Sequence, residues 1–260
     1  DLQKAVNEEA KTCSPKTIRN AVGLLYAVLK FHGIDMQPVA LPQKIDKEKQ
    51  IYTEDELRKL FDTVRGTDLE IVVLLACWLG MRRSEIIGLK WDGVDLDGKT
   101  LRVTSARVLN EHNEYVEKGT KTEKSRRQFD LPDYIIDVLA KMPHDSEYVV
   151  PTSPQTIRNR LVAATEKAGV PFYGIHALRH TNASIMLSLN TPDKYAMERG
   201  GWSSEKTMKQ IYQHTMTEKR KKVDANIDAY FSSIIGPKKR PRWRIKKTNL
   251  VTVLSRYQKA

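Results

Sequence analysis

Only two cysteines, Cys13 and Cys77, occur in this 260-residue chain. One precedes a helix-start signal and the other lies inside an apolar run, so the pair predicts no disulfide framework and a reducing compartment. Two cysteines alone also cannot complete a structural zinc site. Long apolar stretches are missing too. The longest, "IVVLLACWLG" at 71–80, is about half of the ~20 residues a membrane helix needs and reads as a core helix. The first residues, "DLQKAVNEEA", have neither the basic start nor the apolar stretch of a secretion signal. Opening on Asp1 and not on an initiator methionine suggests a piece of a longer gene product. Acidic residues are absent from 236–260, which hold nine Lys and Arg. The net charge of +12 is therefore concentrated there, and residues 1–235 carry 35 basic against 32 acidic groups, a net +3. A polyanionic partner is indicated mainly through the tail, so specific basic positions must carry the argument for the body. The rest, 40% hydrophobic and 29% charged, is the composition of a globular protein with ample core.

Ser14-Pro15 is a helix start, an N-cap residue followed by proline at the first helical position. Ile18, Val22, Leu25 and Leu29 then recur at helical steps until Gly33. One amphipathic helix is not a domain, so residues 1–34 predict the end of a small helical domain. The stretch at 35–52, with two prolines, reads as a linker. Thr53 and Glu56 form a capping box, a second apolar helix runs to Gly80, and "RRSEIIGLKW" reads as another. "DLDGKTLRVTSARV", "NEYVEKG" and "SRRQFDL" alternate as strands of one small antiparallel sheet. From Pro132 the chain is helical again, broken at Pro143, Gly169, Asn190 and Gly200. The expected fold is mainly α with a small antiparallel β-sheet (α+β).

"GIHALRHTNASIML" at 174–187 sets His176, Arg179 and His180 at helical spacings. Histidines four apart can hold a metal, but zinc hydrolases with that spacing place Glu after the first, where Ala177 stands, and Arg179 would repel a cation. Helix-surface residues without a role remain an alternative for this motif alone. Other positions shift the balance towards phosphate. Arg82 follows Gly80-Met81, at the start of a helix, with Glu85 one turn on to orient it. Lys121 lies on a turn between two strands, and Tyr212 lies downstream of Trp202. Arginine forks can hold the non-bridging oxygens of a phosphodiester and stabilise added charge. A tyrosine hydroxyl can attack if its proton is taken, and a lysine or histidine can protonate the leaving alkoxide.

"GMRRSEIIGLKW", "TKTEKSRR", "HALRHT" and "GGWSSEKTMKQIYQHT" occur in that order, and together they resemble the tyrosine recombinase (phage integrase) family over roughly residues 14–232. The resemblance implies a truncated helical core-binding domain at 1–34, a linker at 35–52, a catalytic domain at 53–235 and a basic extension at 236–260. It implies Arg82 and Arg179 as phosphate-gripping arginines, Lys121 as the acid for the 5′-oxygen and His176 as a helper in proton transfer. Trp202 donates through its indole N–H, and Tyr212 becomes joined to the 3′-phosphate. Glu85 and His180 match supporting positions. "GGW" stands where many members have "LGH", and Met81 where Leu is usual. The implied reaction integrates or excises a mobile element through a 3′-phosphotyrosyl bond, without metal or ATP. Its partners are double-stranded DNA recombination sites, a synapsed tetramer and accessory DNA-bending or directionality proteins. No membrane is involved, and the setting is the cytoplasm, at the nucleoid, of a bacterium or phage host. Type IB topoisomerase-like relaxation, or a silent DNA-binding module, are the alternatives.

Tyr195, in "DKYAMERG", is the nearest rival nucleophile and reads as a helix-packing residue; Lys124 rivals Lys121. Arg83, Lys124, Arg126 and Arg127 read as solvated or DNA-backbone contacts, as do Lys238, Lys239 and Arg240 in a tail that could equally be a disordered extension or a nuclear-import signal. His214 reads as structural or a phosphate neighbour. Trp78 and Trp91 read as core. The apolar side of "VDANIDAYFSSII" at 223–235 is the candidate contact to a neighbouring subunit.

Overall fold

A computed structural model describes residues 2–44, 49–119, 127–202, 204, 208, 225, 227–231 and 233–234. It is mainly helical with two small antiparallel sheets. Contacts divide the chain into one unit at Asp1–Ile211 and a second at Tyr212–Ala260. In the second, the described residues between 225 and 234 are helical, with Ile227, Tyr230, Phe231 and Ile234 exposed.

Among the described residues of the first unit, two apolar clusters stand out. The smaller joins α1 (Leu2–Glu9) to α2 (Pro15–Phe31) through Val6, Ile18 and Val22. The Ser14 hydroxyl caps α2 by accepting from Thr17 N–H, as the Ser-Pro pair predicts. Val39 and Leu41 pack on this cluster and Tyr52 lies in the larger one, so both ends of the expected linker are held by apolar contact.

The larger cluster is centred on α4 (Asp68–Cys77), whose residues from Leu69 to Cys77 are all buried. Each fully buried Leu, Ile or Val there contributes about 1.5–3 kcal/mol. Around it pack α3 (Glu54–Val64), which opens on the predicted Thr53–Glu56 capping box, α5 (Arg83–Gly88), α6 (Asp133–Ala140), α7 (Pro154–Ala168) and α8 (Ile175–Ser188). The last described helix of this unit with defined ends is α9 (Asp193–Gly200). The helix expected from Arg82 to Trp91 is only the six residues of α5, followed by a single 3₁₀ turn at Trp91–Gly93. It stops where Gly88 lies against the backbone of Ala106 and Arg107, too close for any Cβ.

One sheet was expected and two form. β1 (Val94–Asp95), β2 (Thr100–Val103) and β5 (Arg127–Asp130) make one, and the hairpin of β3 (Ser105–Leu109) with β4 (Tyr115–Gly119) makes the other. β2 pairs with β5 across the hairpin, with Leu101 opposite Phe129 and Val103 opposite Arg127. Trp78 is 41% exposed and not core: α4 ends there, and its carbonyl turns inward to accept from Asn182 while the indole faces solvent. Tyr195 is 55% exposed, because Ala196 and Gly200 form the buried side of α9. Trp91 is partly buried, packed against the core and stacked on His144. Both cysteines are free. No described helix is long and apolar enough to cross a membrane.

Candidate active site

Arg82 is the N-cap residue of α5, just after the left-handed turn at Gly80. Its backbone N–H donates to Glu85 Oε2 at 2.7 Å and its Nη1 to Glu85 Oε1 at 2.6 Å. The one-turn spacing read from the sequence thus places Glu85 under this arginine. The remaining Nη2 donates to the carbonyl of Gly201, in the turn after α9. The Arg82 side chain stays 35% exposed, with its buried side fixed and an open side left over.

Arg179 comes from the first half of α8 and is buried. Its Nη1 donates to the Gly80 carbonyl and its Nη2 to the Gly200 carbonyl at 2.6 Å. Its guanidinium lies 4.5 Å from the centroid of the Trp202 ring, which is buried. A guanidinium over an aromatic face gains about 2 kcal/mol when desolvated. Gly200 has no room for a Cβ because the Trp202 ring occupies that space. The two glycine turns, at 80 and at 200–201, thus aim both arginines through their carbonyls.

Glu85 also accepts both forks of Arg127, Nη1 to Oε1 at 3.2 Å and Nη2 to Oε2 at 2.8 Å. The side chains of Arg127 and Glu85 are 3% and 5% exposed. Arg127 is therefore buried in an ion pair and not the solvated residue the sequence suggested. It shares the inward face of β5 with Phe129, and the alternation Arg127-x-Phe129-x-Leu131 was the signal that would have shown it.

These charges shape the titration of the site. Burial first, then the charge of Arg82, pulls Arg179 down to about 9, which leaves it cationic at neutral pH. Burial alone would raise the Glu85 carboxyl, but the hydrogen bonds and charge of Arg127, followed by those of Arg82, hold it below the usual range. His176 is solvent-exposed at the start of α8. Partial desolvation, then the charges of Arg83, Arg179 and Arg82, lower it from the ordinary imidazole value, so it is neutral at pH 7. His180 is pushed further, to about 4, by burial and by Lys49, His176 and Arg179, and its Nδ1 is buried without a partner.

The structure thus brings together Arg82, Glu85, Arg179 and Trp202, with His176 within reach of the arginine charges. Arg83 is exposed beside them. Lys121, Lys124, Arg126, Tyr212, His214, Lys238, Lys239 and Arg240 lie outside the described residues. The sequence reading missed the carbonyls of Gly80, Gly200 and Gly201, and Asn182, whose amide donates to Trp78 O while its Oδ1 fills the space beside Gly80. Arg82 and Arg127 pair with Glu85, Arg179 feels the charges of both Arg82 and Glu85, and Arg83 is exposed nearby. The N–H groups that Arg82 leaves on its open side are complementary to the oxygens of an anion. No described group of three or more His, Cys, Asp or Glu is placed to hold a metal ion.

Residues 50–219 match the phage integrase family. The chain is 28% identical over 211 residues to a tyrosine recombinase XerC-like protein of Caldanaerobacter subterraneus subsp. tengcongensis, covering 68% of this chain and 54% of that one. It is 26% identical over 222 residues to the integrase of Salmonella phage P22, covering 74% and 52%. The chain therefore spans about half the length of these relatives. Among solved structures it resembles the Tn1549 transposon integrase in complex with transposon right end DNA, with a TM-score of 0.69 and 17% identity over 85% of this chain and 82% of that one. A lambda integrase tetramer bound to a Holliday junction aligns with a TM-score of 0.53 and 18% identity, covering 82% and 62%.

Proposed function

This chain belongs to the phage integrase family, and from that premise we propose that it is a site-specific DNA recombinase that cuts and rejoins strands through a covalent 3′-phosphotyrosyl intermediate. The observation that carries the reading is the convergence of Arg82 and Arg179, from separate helices, on carbonyls of the two glycine turns, with Glu85 as their shared carboxylate neighbourhood. Both guanidiniums keep N–H groups for the non-bridging oxygens of a scissile phosphate.

In the proposed step the Tyr212 hydroxyl oxygen bonds to phosphorus and the bond to the 5′-oxygen breaks. Neutral His176 assists removal of the tyrosine proton, and Lys121 gives a proton to the departing 5′-oxygen. Arg82 and Arg179 stabilise the charge of the pentacoordinate state, a contribution of about 3–4 kcal/mol per lost donor in comparable sites. Trp202 supports Arg179 from below and supplies its indole N–H. His180 has a supporting place one residue beyond. The phosphotyrosyl bond keeps the energy of the broken phosphodiester, so the reverse attack by a 5′-hydroxyl needs no ATP and no metal.

The division into a truncated core-binding domain at 1–34, a linker at 35–52, a catalytic domain at 53–235 and a basic extension at 236–260 belongs to the same proposal, as does the action of Arg83, Lys124, Arg126, Lys238, Lys239 and Arg240 on the DNA backbone. Double-stranded recombination sites, a tetramer assembled on them, accessory bending or directionality proteins and a cytoplasmic, nucleoid setting complete it.

A nicked suicide substrate made from the DNA flanking the gene tests the reading. Wild type forms an adduct that resists denaturation, and Tyr212→Phe forms none. An adduct in Tyr212→Phe removes that residue as nucleophile. Tight binding by wild type without any adduct favours a silent DNA-binding module, and a strong loss on adding chelator restores a metal to the mechanism.

A further inference from the structure

We infer that Arg127 is a positioning residue for strand cleavage, acting on Arg82 through Glu85, and not a contact to the DNA backbone. The inference rests on the recombinase reading above. Its geometric basis is the chain Arg127–Glu85–Arg82. Glu85 accepts four hydrogen bonds: two from the Arg127 fork, one from Arg82 Nη1 and one from the Arg82 backbone N–H. Arg127 holds the carboxylate in one plane, and that plane sets where Arg82 Nη1 lies. Without Arg127, the carboxylate keeps only its two bonds from Arg82 itself and loses its one clamp from another element, about a terminal torsion that is broad and soft.

The same arginine touches the opposite wall. Gly201, left-handed at φ 62°, has no space for a Cβ because Arg127 Nη1 fills it, and the Gly201 carbonyl is the acceptor for Arg82 Nη2. Arg127 thereby braces both anchors of Arg82, the carboxylate and the glycine turn. Its guanidinium lies 5.6 Å from the Phe129 ring centroid, and its Nε–H is buried without a partner. A buried ion pair with an unpartnered N–H is a poor device for stability, since an apolar set of equal volume commonly does as well. What the pair supplies is a fixed direction for Arg82. Lysine, a point charge on a flexible stem, cannot reproduce the fork.

The test separates cleavage from binding with wild type, Arg127→Lys, Glu85→Gln and the double variant, on the suicide substrate. Arg127→Lys cleaves about 10²-fold more slowly, the scale of a misplaced catalytic group, while DNA affinity and its salt dependence stay at wild type. The double variant is no slower than the slower single one, because both changes break one chain of contacts. A drop in affinity with a salt slope shallower by about one makes Arg127 a phosphate contact and overturns the inference. A lowered melting temperature with wild-type cleavage by the folded fraction also overturns it. Should Arg127→Lys not fold, Phe129→Leu loosens the guanidinium while keeping its charge, and must slow cleavage several-fold at unchanged affinity; wild-type cleavage there is likewise fatal. Absence of an adduct from wild type itself brings down the recombinase reading first, and this inference with it.

Discussion

Replacing Gly200 by alanine sets two effects of opposite sign against each other. Gly200 is the last residue of α9, and its φ is not in the left-handed region. Helix propensity alone then predicts a gain of about 1 kcal/mol. The added methyl would, however, stand inside the Trp202 ring, which is 8% exposed and lies 4.5 Å from the Arg179 guanidinium. Forcing an extra methyl into a packed site costs about 1–3 kcal/mol, and displacing the ring forfeits up to about 2 kcal/mol of cation–π attraction. The clash wins, for a net loss centred on about 2 kcal/mol. For a domain of this size that lowers the melting temperature by roughly 3–10 °C. Because the Gly200 carbonyl also anchors Arg179, cleavage of the suicide substrate falls about 10²-fold while DNA affinity changes little. Differential scanning calorimetry and single-turnover cleavage read the two effects separately. A raised melting temperature with unchanged cleavage would refute the role given to the Trp202–Arg179 stack.

Arg179→Lys keeps the charge but loses the fork that spans the Gly80 and Gly200 carbonyls; cleavage should fall by about 10²–10³, and a loss below tenfold in a single-turnover assay would contradict the geometry. His180 titrates at about 4 in the fold against an ordinary 6.5, so the unfolded chain binds the extra proton first. Its contribution is intact above about 6.5 and lost as pH falls towards 4; melting curves across that window should flatten in His180→Gln relative to wild type. Burial pushes the Cys77 thiol to about 12, while Cys13 is only half-buried at the end of the α1 segment. Native protein should therefore take up one equivalent of an alkylating agent quickly, at Cys13, and the second only in denaturant; equal rates by mass spectrometry would show that α4 opens readily.

The parts of the site that the sequence displayed are those whose geometry is local. Arg82 and Glu85 lie one turn apart at the start of one helix, and the Thr53–Glu56 capping box closes within three residues, as does the Ser14 cap on Thr17. What escaped depends on contacts between distant segments. Arg127 reads as one more cation in "KSRR", because its partner Glu85 stands 42 residues earlier. Only the register of β5, which turns Arg127, Phe129 and Leu131 to the same side, decides that this arginine goes in. Trp78 was misread for the opposite reason. From Leu69 on α4 shows no polar stripe, so no periodicity distinguishes its exposed C-terminal end from its core. The two sheets were likewise indistinguishable from one, since alternation marks strands and says nothing of which pair; β2 passes over the β3–β4 hairpin to reach β5. The glycines carry the clearest lesson. "GMRR" and "GGW" read as turns, yet their work is done by carbonyls that fix two arginines and by absent methyl groups that admit Trp202 and Arg127. A glycine that borders a motif should therefore be read for what its missing side chain lets approach, and here that is the guanidinium and the ring on which the phosphate grip depends.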